Sequence, residues 1–190
     1  GKPYLFALKQ FSLAIIDESS QIVEASIVGL LSAHSHSASH SLAIERFVMV
    51  GDHKQLPAVV RQSVEESAVE EPLLHDIGLM NCRESLFERL LRKARKHNNH
   101  SIIGSLRYQG RMHFELAEFV SNSFYAKEQL TVVPLPHQKE EHLNYQVASV
   151  DELDEALKAH RLMFFPSPKN GVLGQNDKTN AYEARLVALL

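Results

Sequence analysis

The sequence predicts an α/β protein in which a parallel sheet is flanked by helices. Two runs of apolar residues, 12–17 and 46–50, show no polar alternation, which is typical of strands in parallel sheets that are covered on both faces. Segments with helical spacing follow these runs, and a repeated strand–helix order indicates a parallel sheet. The length of 190 residues is sufficient for one medium domain or two small ones.

Composition excludes several classes of protein. The chain is 44% hydrophobic and 23% charged, values near the globular average that exclude a disordered or collagen-like protein. No apolar run approaches the roughly 20 residues of a membrane-spanning helix. A net charge of −3 excludes an overall basic field, so any contact with nucleic acid must be local. Cys82 is the single cysteine, which excludes an intrachain disulfide and favours an intracellular location, cytoplasmic or, in a eukaryote, nuclear.

The first half of the chain contains two strands and two helices. The strand over 12–17 leads to a helix over 22–32, whose apolar residues recur at helical spacing. A polar loop of serine and histidine separates this helix from the strand over 46–50. Residues 61–82 are acidic and irregular, and they predict a surface insertion. A helix over 83–97 has one apolar face and a basic C-terminal end, which complements the helix dipole.

The second half is predicted to begin at a hinge, because Asn98 and Asn99 interrupt the helical pattern. A strand over 101–106 and a helix over 112–124 follow. The remaining predicted elements are, in order, a Pro-rich loop over 131–142, an edge strand over 144–150, a helix over 151–159 with Asp151 as its N-cap, a strand over 161–165, a loop over 166–177 and a helix over 178–190.

Carboxylates follow both strands of the first half. Asp17 and Glu18 close the first strand, and Asp52 comes just after the second. Ligands of open parallel sheets bind at the carboxyl ends of the strands. A carboxylate there can hold Mg²⁺ through water, and a second one can deprotonate an attacking water molecule. Such a pair can also simply cap the next helix, and these residues alone leave both interpretations open.

Three short motifs carry a family resemblance. They are DESSQ at 17–21, GDHKQLP at 51–57 and QGRMH at 109–113. In order and spacing they resemble motifs II, III and IV of superfamily 1 helicases, and most closely the branch whose motifs read DEASQ, GDxxQLPP and QYRMH. Residues 85–90 (SLFERL) and 180–184 (NAYEA) are similar to two further stretches of that branch. The resemblance covers most of the chain.

The resemblance implies a fold and a function. It implies RecA-like parallel sheets flanked by helices, as parts of two tandem RecA-like domains. Residues 1–97 would be the C-terminal half of the first domain, with motifs II and III. Residues 98–190 would be the N-terminal part of the second, from motif IV onward. The function implied is that of an ATP-dependent helicase or translocase on DNA or RNA, which hydrolyses Mg-ATP at the cleft between the domains.

The same resemblance implies roles for residues of motif II. Asp17 would bind the Mg²⁺ of Mg-ATP, and Glu18 would activate the hydrolytic water. Gln21 would position that water or the phosphate.

Motifs III and IV receive roles in the same way. Asp52 and Gln55 would couple the γ-phosphate to engagement of the nucleic-acid strand. Gln109 would make polar contacts near the nucleotide. Arg111 would stabilise the charge that develops on the γ-phosphate, a role that suits arginine because its planar fork pairs with phosphate oxygens and keeps its proton.

The sequence departs from the family pattern at several places. Gly110 replaces the aromatic residue that packs near the nucleotide base, Ser19 replaces an alanine, and Ala58 replaces a proline. The sequence contains no Gly-x-x-x-x-Gly-Lys-Ser/Thr phosphate loop and no late arginine motif. We therefore expect the chain to be an internal segment of a larger motor, and we expect the isolated chain not to hydrolyse ATP.

Two other functions compete with this interpretation. The first is a degenerate, non-catalytic module that retains the fold to bind a partner; Gly110 is compatible with it, whereas Arg111 and the intact acidic motif argue against it. The second is a metal-dependent phosphohydrolase that uses Asp17, Glu18 and Asp52 without ATP. Nuclease activity without nucleotide would favour the second function.

Overall fold

The computed structural model describes residues 10–34, 42–139, 148–166 and 180–189. The chain divides into two compact units, Gly1–Ser105 and Leu106–Leu190. Each unit contains a small parallel sheet and several helices, which confirms the predicted α/β class. The assignment of residues 1–97 and 98–190 to two RecA-like domains stays a prediction.

The first unit is built around one pair of parallel strands. Its elements are, in order, β1 (Ala14–Ile16), a 3₁₀ turn (Ser19–Gln21), α1 (Glu24–Leu31), β2 (Phe47–Met49), α2 (Pro72–Asp76), α3 (Leu86–Lys96) and a second 3₁₀ turn (His100–Ile102). The register pairs Ala14 with Phe47 and Ile16 with Met49. Because the strands run in parallel, their carboxyl ends lie at the same edge of the sheet, and the loops that follow them are neighbours.

One face of this sheet forms the core. Ile16 packs with Ile27 of α1 and Leu86 of α3, and all three side chains are buried. Ile15, by contrast, is 69% exposed, and Val48 is exposed as well. Successive strand residues point to opposite faces, and within the described residues α1 and α3 cover the face of Ile16. The expectation that both faces are covered is therefore wrong for the described part of the chain.

Helix α3 begins at a capping box, which confirms the predicted helix and explains its first residue. The Ser85 Oγ accepts a hydrogen bond from the Glu88 amide at 3.2 Å, and the Ser85 amide donates to the Glu88 carboxylate at 3.4 Å. These bonds satisfy two amides at the helix start that would otherwise lack partners. Basic residues in the last turn of α3 complement the helix dipole, as predicted.

The acidic segment over 61–82 lies on the surface, as predicted. It contains the short helix α2 and is closed by its own polar contacts. The Asn81 side-chain amide donates to the Val64 carbonyl at 2.8 Å, and the Cys82 amide donates to the Ser67 carbonyl at 2.8 Å. Cys82 itself is exposed.

The second unit holds a second, smaller parallel sheet. Its elements are, in order, β3 (Tyr108–Gln109), α4 (Phe114–Phe124), β4 (Thr131–Val132), α5 (Pro136–Lys139), α6 (Glu152–Ala159) and α7 (Ala181–Leu189). Tyr108 pairs with Thr131 and Gln109 with Val132. Motif IV therefore begins on a strand and continues into the loop that leads to α4.

Three predictions of local structure are wrong. Residues 101–106 form no strand; they continue from a 3₁₀ turn, and strand β3 begins two residues later, at Tyr108. Residues 161–165, which the structure describes throughout, also form no strand. The supposed loop over 131–142 contains β4 and α5. An apolar run shows a tendency to be buried, but a strand forms only where a second strand pairs with it.

Predictions on the remaining segments have different outcomes. Most of the polar loop and of the predicted edge strand, and nearly all of the loop over 166–177, lie outside the described residues; residues 148–150 form no strand. Helix α6 confirms its prediction, because the Asp151 carboxylate accepts from the Asp154 amide at 2.8 Å as an N-cap. The Lys158 ammonium, 2.7 Å from the Asp154 carboxylate, lowers the pKa of that carboxyl.

No helix in the described part of the chain is long and apolar enough to cross a membrane.

Candidate functional site

The acidic motif forms a tight turn directly after β1. The Glu18 amide donates to the Asp17 carboxylate at 2.9 Å, and the Gln21 side-chain amide donates to the Glu18 carboxylate at 3.1 Å. Glu18 has φ 49° and ψ 33°, in the left-handed region that residues with a Cβ seldom adopt. Such backbone strain concentrates at functional sites. The turn presents both carboxylates to solvent.

The second motif forms a turn after β2. The Asp52 carboxylate accepts from the Lys54 amide at 3.0 Å and from the Gln55 side-chain amide at 2.9 Å. The Gln55 amide also donates to the Asp52 carbonyl at 3.2 Å. The side chains of Asp52 and Gln55 are therefore held together as one polar group.

Two buried serines join these turns. The Ser19 amide and hydroxyl both donate to the Val50 carbonyl, at 2.8 and 2.7 Å. The Ser20 hydroxyl accepts from the Asp52 amide at 3.1 Å. Both serine side chains are almost completely buried. A Cβ at Gly51 would lie 2.9 Å from the Ser20 amide nitrogen, so only glycine permits this close approach.

The joined turns line an open depression of about 400 Å³. Gln21 of the first turn and Lys54, Gln55 and Leu56 of the second contribute its walls. This volume lies within the range of small-molecule sites, about 300–1,000 Å³. Residues separated by more than thirty positions in the sequence thus meet at one edge of the sheet, as the parallel-strand argument predicts.

The donor set at this edge suits a magnesium ion that is shared with a phosphate ligand. Magnesium in phosphate-transfer sites is typically held by one or two carboxylates, several waters and the substrate phosphates. Asp17 can offer the oxygen that does not accept from Glu18. Within the described ranges, no cluster of three or more His, Cys, Asp or Glu side chains could hold a metal ion on its own. The remaining carboxylate oxygen of Asp17 fits an ion that arrives with its phosphate.

The loop of the third motif belongs to the second unit. The Gln109 side-chain oxygen accepts from the amides of Arg111 and Met112, at 3.0 and 2.7 Å. The Gln109 side-chain amide donates to the Met112 carbonyl at 3.0 Å. His113 is the N-cap of α4, where its Nδ1 accepts from the Glu115 amide at 3.3 Å. Gln109, predicted to contact nucleotide, therefore already shapes its own loop.

Arg111 projects from this loop. Its backbone is fixed through Gln109, whereas its side chain is exposed. Its guanidinium makes no hydrogen bond or ion pair with any residue that the structure describes. The chain thus presents an exposed guanidinium on a backbone that is held in place, an arrangement suited to an anionic ligand.

Gly110 is not required by the backbone. It does not adopt a positive φ, and a Cβ at this position would lie 3.7 Å from the Leu135 side chain, an ordinary contact distance. The departure from an aromatic residue is therefore not explained by a special turn geometry.

Sequence reasoning missed several residues that hold these loops. The sequence assigned Ser19 and Ser20 only to a motif, although their hydroxyls connect the two turns of the first unit. Gln138 was placed in a loop, yet its buried amide binds the backbone of the Arg111 loop. The family pattern pointed to the serine positions, but no periodicity or spacing distinguishes Gln138 from a solvated glutamine.

A buried ion pair holds the helix that follows the first turn. Glu24 at the start of α1 accepts two hydrogen bonds from the Arg89 guanidinium, at 2.6 and 2.5 Å, and both side chains are buried. Arg89 also donates to the Ile77 carbonyl at 2.9 Å. The SLFERL stretch is thereby attached to the helix that follows the acidic motif.

Comparison with known proteins gives two kinds of match. A family model described as an AAA domain matches residues 1–63. The DNA replication ATP-dependent helicase/nuclease DNA2 of Gallus gallus is 29% identical over 169 residues, which cover 85% of this chain and 14% of the relative. The protein of the same name from Mus musculus is 27% identical over 204 residues, 98% of this chain and 16% of the relative. That of Xenopus laevis is 29% identical over 71% of this chain.

The chain spans about a seventh of the length of the curated relatives that it matches. The narrower assignment to the branch with DEASQ, GDxxQLPP and QYRMH motifs stays a prediction. The AAA-domain match, the helicase relatives and the α/β fold together confirm the resemblance of this chain to a segment of a superfamily 1 helicase.

Proposed function

We propose that the protein carrying this chain is an ATP-dependent helicase or translocase that hydrolyses Mg-ATP. The observation that supports it most is that the acidic turn after β1 and the turn after β2 are hydrogen-bonded to each other and line one open depression, to which Gln21 and Gln55 contribute. These two turns carry motifs whose residue types suit binding and hydrolysis of a triphosphate.

The residues of the first unit divide the chemical work. Asp17 would hold the magnesium ion that accompanies ATP, and this ion, when bound, would offset negative charge on the phosphates. Glu18 would accept a proton from the attacking water, and Gln21 would orient that water or the terminal phosphate. Asp52 and Gln55, which are hydrogen-bonded to each other, would respond together to the presence of the γ-phosphate.

The second unit would contribute residues to the same reaction. Arg111 would stabilise the charge that develops on the γ-phosphate, and Gln109 would contribute polar contacts near the nucleotide. An arginine in this role accelerates phosphoryl transfer by about 10³–10⁵-fold in well-studied enzymes. The exposed guanidinium of Arg111 is consistent with such a role.

DNA is the substrate that we propose in preference to RNA. The support comes from the relatives, which are named DNA replication ATP-dependent helicase/nuclease DNA2. An intracellular location is proposed with this function. We further propose that the isolated chain does not hydrolyse ATP, because its sequence contains no phosphate loop.

The test is the Glu18→Gln substitution in the full-length protein. Glutamine retains the size of the side chain but cannot accept the proton, so kcat for DNA-stimulated ATP hydrolysis should fall by about 10²-fold or more. The affinity for ATP should remain within about threefold of the wild type, as measured by equilibrium binding, because glutamine adds no charge and no bulk.

Glu70→Gln is the matched control, since Glu70 is exposed in the acidic insertion. Turnover that persists in Glu18→Gln would show that another group is the base. Hydrolysis stimulated only by RNA would overturn the choice of DNA. Nucleic-acid cleavage that needs the metal and this motif but no ATP would favour the phosphohydrolase instead.

A further inference from the structure

Gln138 is a buried polar side chain that neither the sequence motifs nor the proposed chemistry includes. It lies in the four-residue helix α5 (Pro136–Lys139), and it is 0% exposed. A buried amide is costly unless its donors and acceptor are satisfied. The identity of its partners therefore shows what this residue does.

Both polar atoms of the Gln138 side chain are hydrogen-bonded, and its nitrogen binds the Arg111 loop. The Gln138 amide nitrogen donates to the Gln109 carbonyl at 3.0 Å and to the Met112 carbonyl at 2.9 Å. The Gln138 oxygen accepts from the Leu135 amide at 3.4 Å. One amide group thus bridges the first and the last residue of the segment that contains Arg111.

A second glutamine completes the arrangement. The Met112 carbonyl accepts from both Gln109 and Gln138, and the Gln109 oxygen accepts from the amides of Arg111 and Met112. His137 adds an exposed contact of 3.0 Å to the Gly110 carbonyl. Every backbone position from 109 to 112 is therefore held by at least one side chain.

We infer that Gln138 is a positioning residue that fixes the backbone from which Arg111 projects. The inference rests on the proposed function of Arg111. A long, flexible arginine acts on a transition state only if its backbone is held in place, and a displacement of about 1 Å can cost as much as 100-fold in rate. The Gln138 amide provides this restraint from a buried site outside the motif.

Two variants separate hydrogen bonding from packing. Gln138→Met has a similar volume and no hydrogen-bonding amide, so it fills the site without holding the loop. Gln138→Glu places an oxygen where the amide nitrogen faces the Gln109 and Met112 carbonyls. Lys139→Ala is the matched control, because Lys139 is the exposed neighbour on the same helix.

The experiment measures ATP hydrolysis by the full-length protein. In Gln138→Met we expect kcat to fall by about tenfold or more, with KM for ATP changed by less than about threefold. The kcat of Gln138→Glu should fall further, and the kcat of Lys139→Ala should match that of the wild type. In an Arg111→Ala background, Gln138→Met should cause no additional loss, because its effect passes through Arg111.

Each outcome decides a separate question. An additional loss of the same size in the Arg111→Ala background would show that Gln138 acts only through general stability, and the inference would be wrong. A wild-type kcat for Gln138→Met would also overturn it. If Arg111→Ala itself retains full turnover, the proposed role of Arg111 fails. In that case, amide hydrogen exchange of Arg111 and Met112 still tests whether Gln138 holds the loop. If it does, these amides exchange faster in Gln138→Met than in the wild type.

Discussion

Gly51 illustrates how a single residue determines the position of a side chain of the candidate site. It lies between β2 and Asp52, where the chain passes close to the turn that follows β1. The Ser20 hydroxyl accepts from the Asp52 amide at 3.1 Å, and a Cβ at Gly51 would lie 2.9 Å from the Ser20 amide nitrogen. The contact that joins the two motifs depends on the absence of a side chain at this position.

Gly51→Ala tests this dependence. The added methyl group would lie 2.9 Å from the Ser20 backbone nitrogen and 3.0 Å from the buried Ser19 hydroxyl, so the free energy of unfolding should fall by about 1–3 kcal/mol. Thermal unfolding of the chain, followed by circular dichroism, measures the loss. Gly104→Ala is the control, because among the described residues no atom beyond the two chain neighbours lies within 4 Å of the added Cβ there. Equal melting temperatures for the two variants would refute the close approach.

Two helices, α1 and α3, support the acidic turn. Helix α1 begins three residues after Gln21, and its first residue, Glu24, is bound by Arg89 of α3. The Glu24 amide also donates to the Glu84 carbonyl at 3.0 Å, just before the α3 capping box. The SLFERL stretch therefore acts as a structural support for the segment that follows motif II.

Arg89→Met should be strongly destabilising. It leaves the Glu24 carboxylate buried without its partner, and breaking a buried ion pair in this way costs about 3–5 kcal/mol. The double variant Glu24→Leu, Arg89→Met removes both charges and should recover most of the loss. Urea unfolding of the single and double variants measures the difference. If the double variant is no more stable than Arg89→Met, the unpaired charge is not the cause.

Across the two units, the sequence predicted the order of the elements better than their extent. The strands at β1 and β2 and the helices α3, α4 and α6 lie where apolar spacing placed them. Residues 101–106 and 161–165 are equally apolar but form no strands, because pairing depends on a partner elsewhere in the chain, which a local pattern does not identify.

The candidate site was predictable to the extent that it follows from topology. Parallel strands bring Asp17 and Asp52 to the same edge, and the structure shows the hydrogen bonds between the loops. Contacts that depend on one side chain reaching a distant backbone were not predictable. Gln138, 26 residues after Met112, is the main example.

We propose that Arg111 acts on the same nucleotide as the acidic turn after β1. Its decisive test is single-turnover cleavage of ATP by full-length Arg111→Ala, with Arg107→Ala as the control because Arg107 is exposed in the same unit. We expect γ-phosphate cleavage to slow by about 10³-fold or more while ATP still binds, and we expect Arg107→Ala to cleave at the wild-type rate. Wild-type cleavage by Arg111→Ala would contradict it.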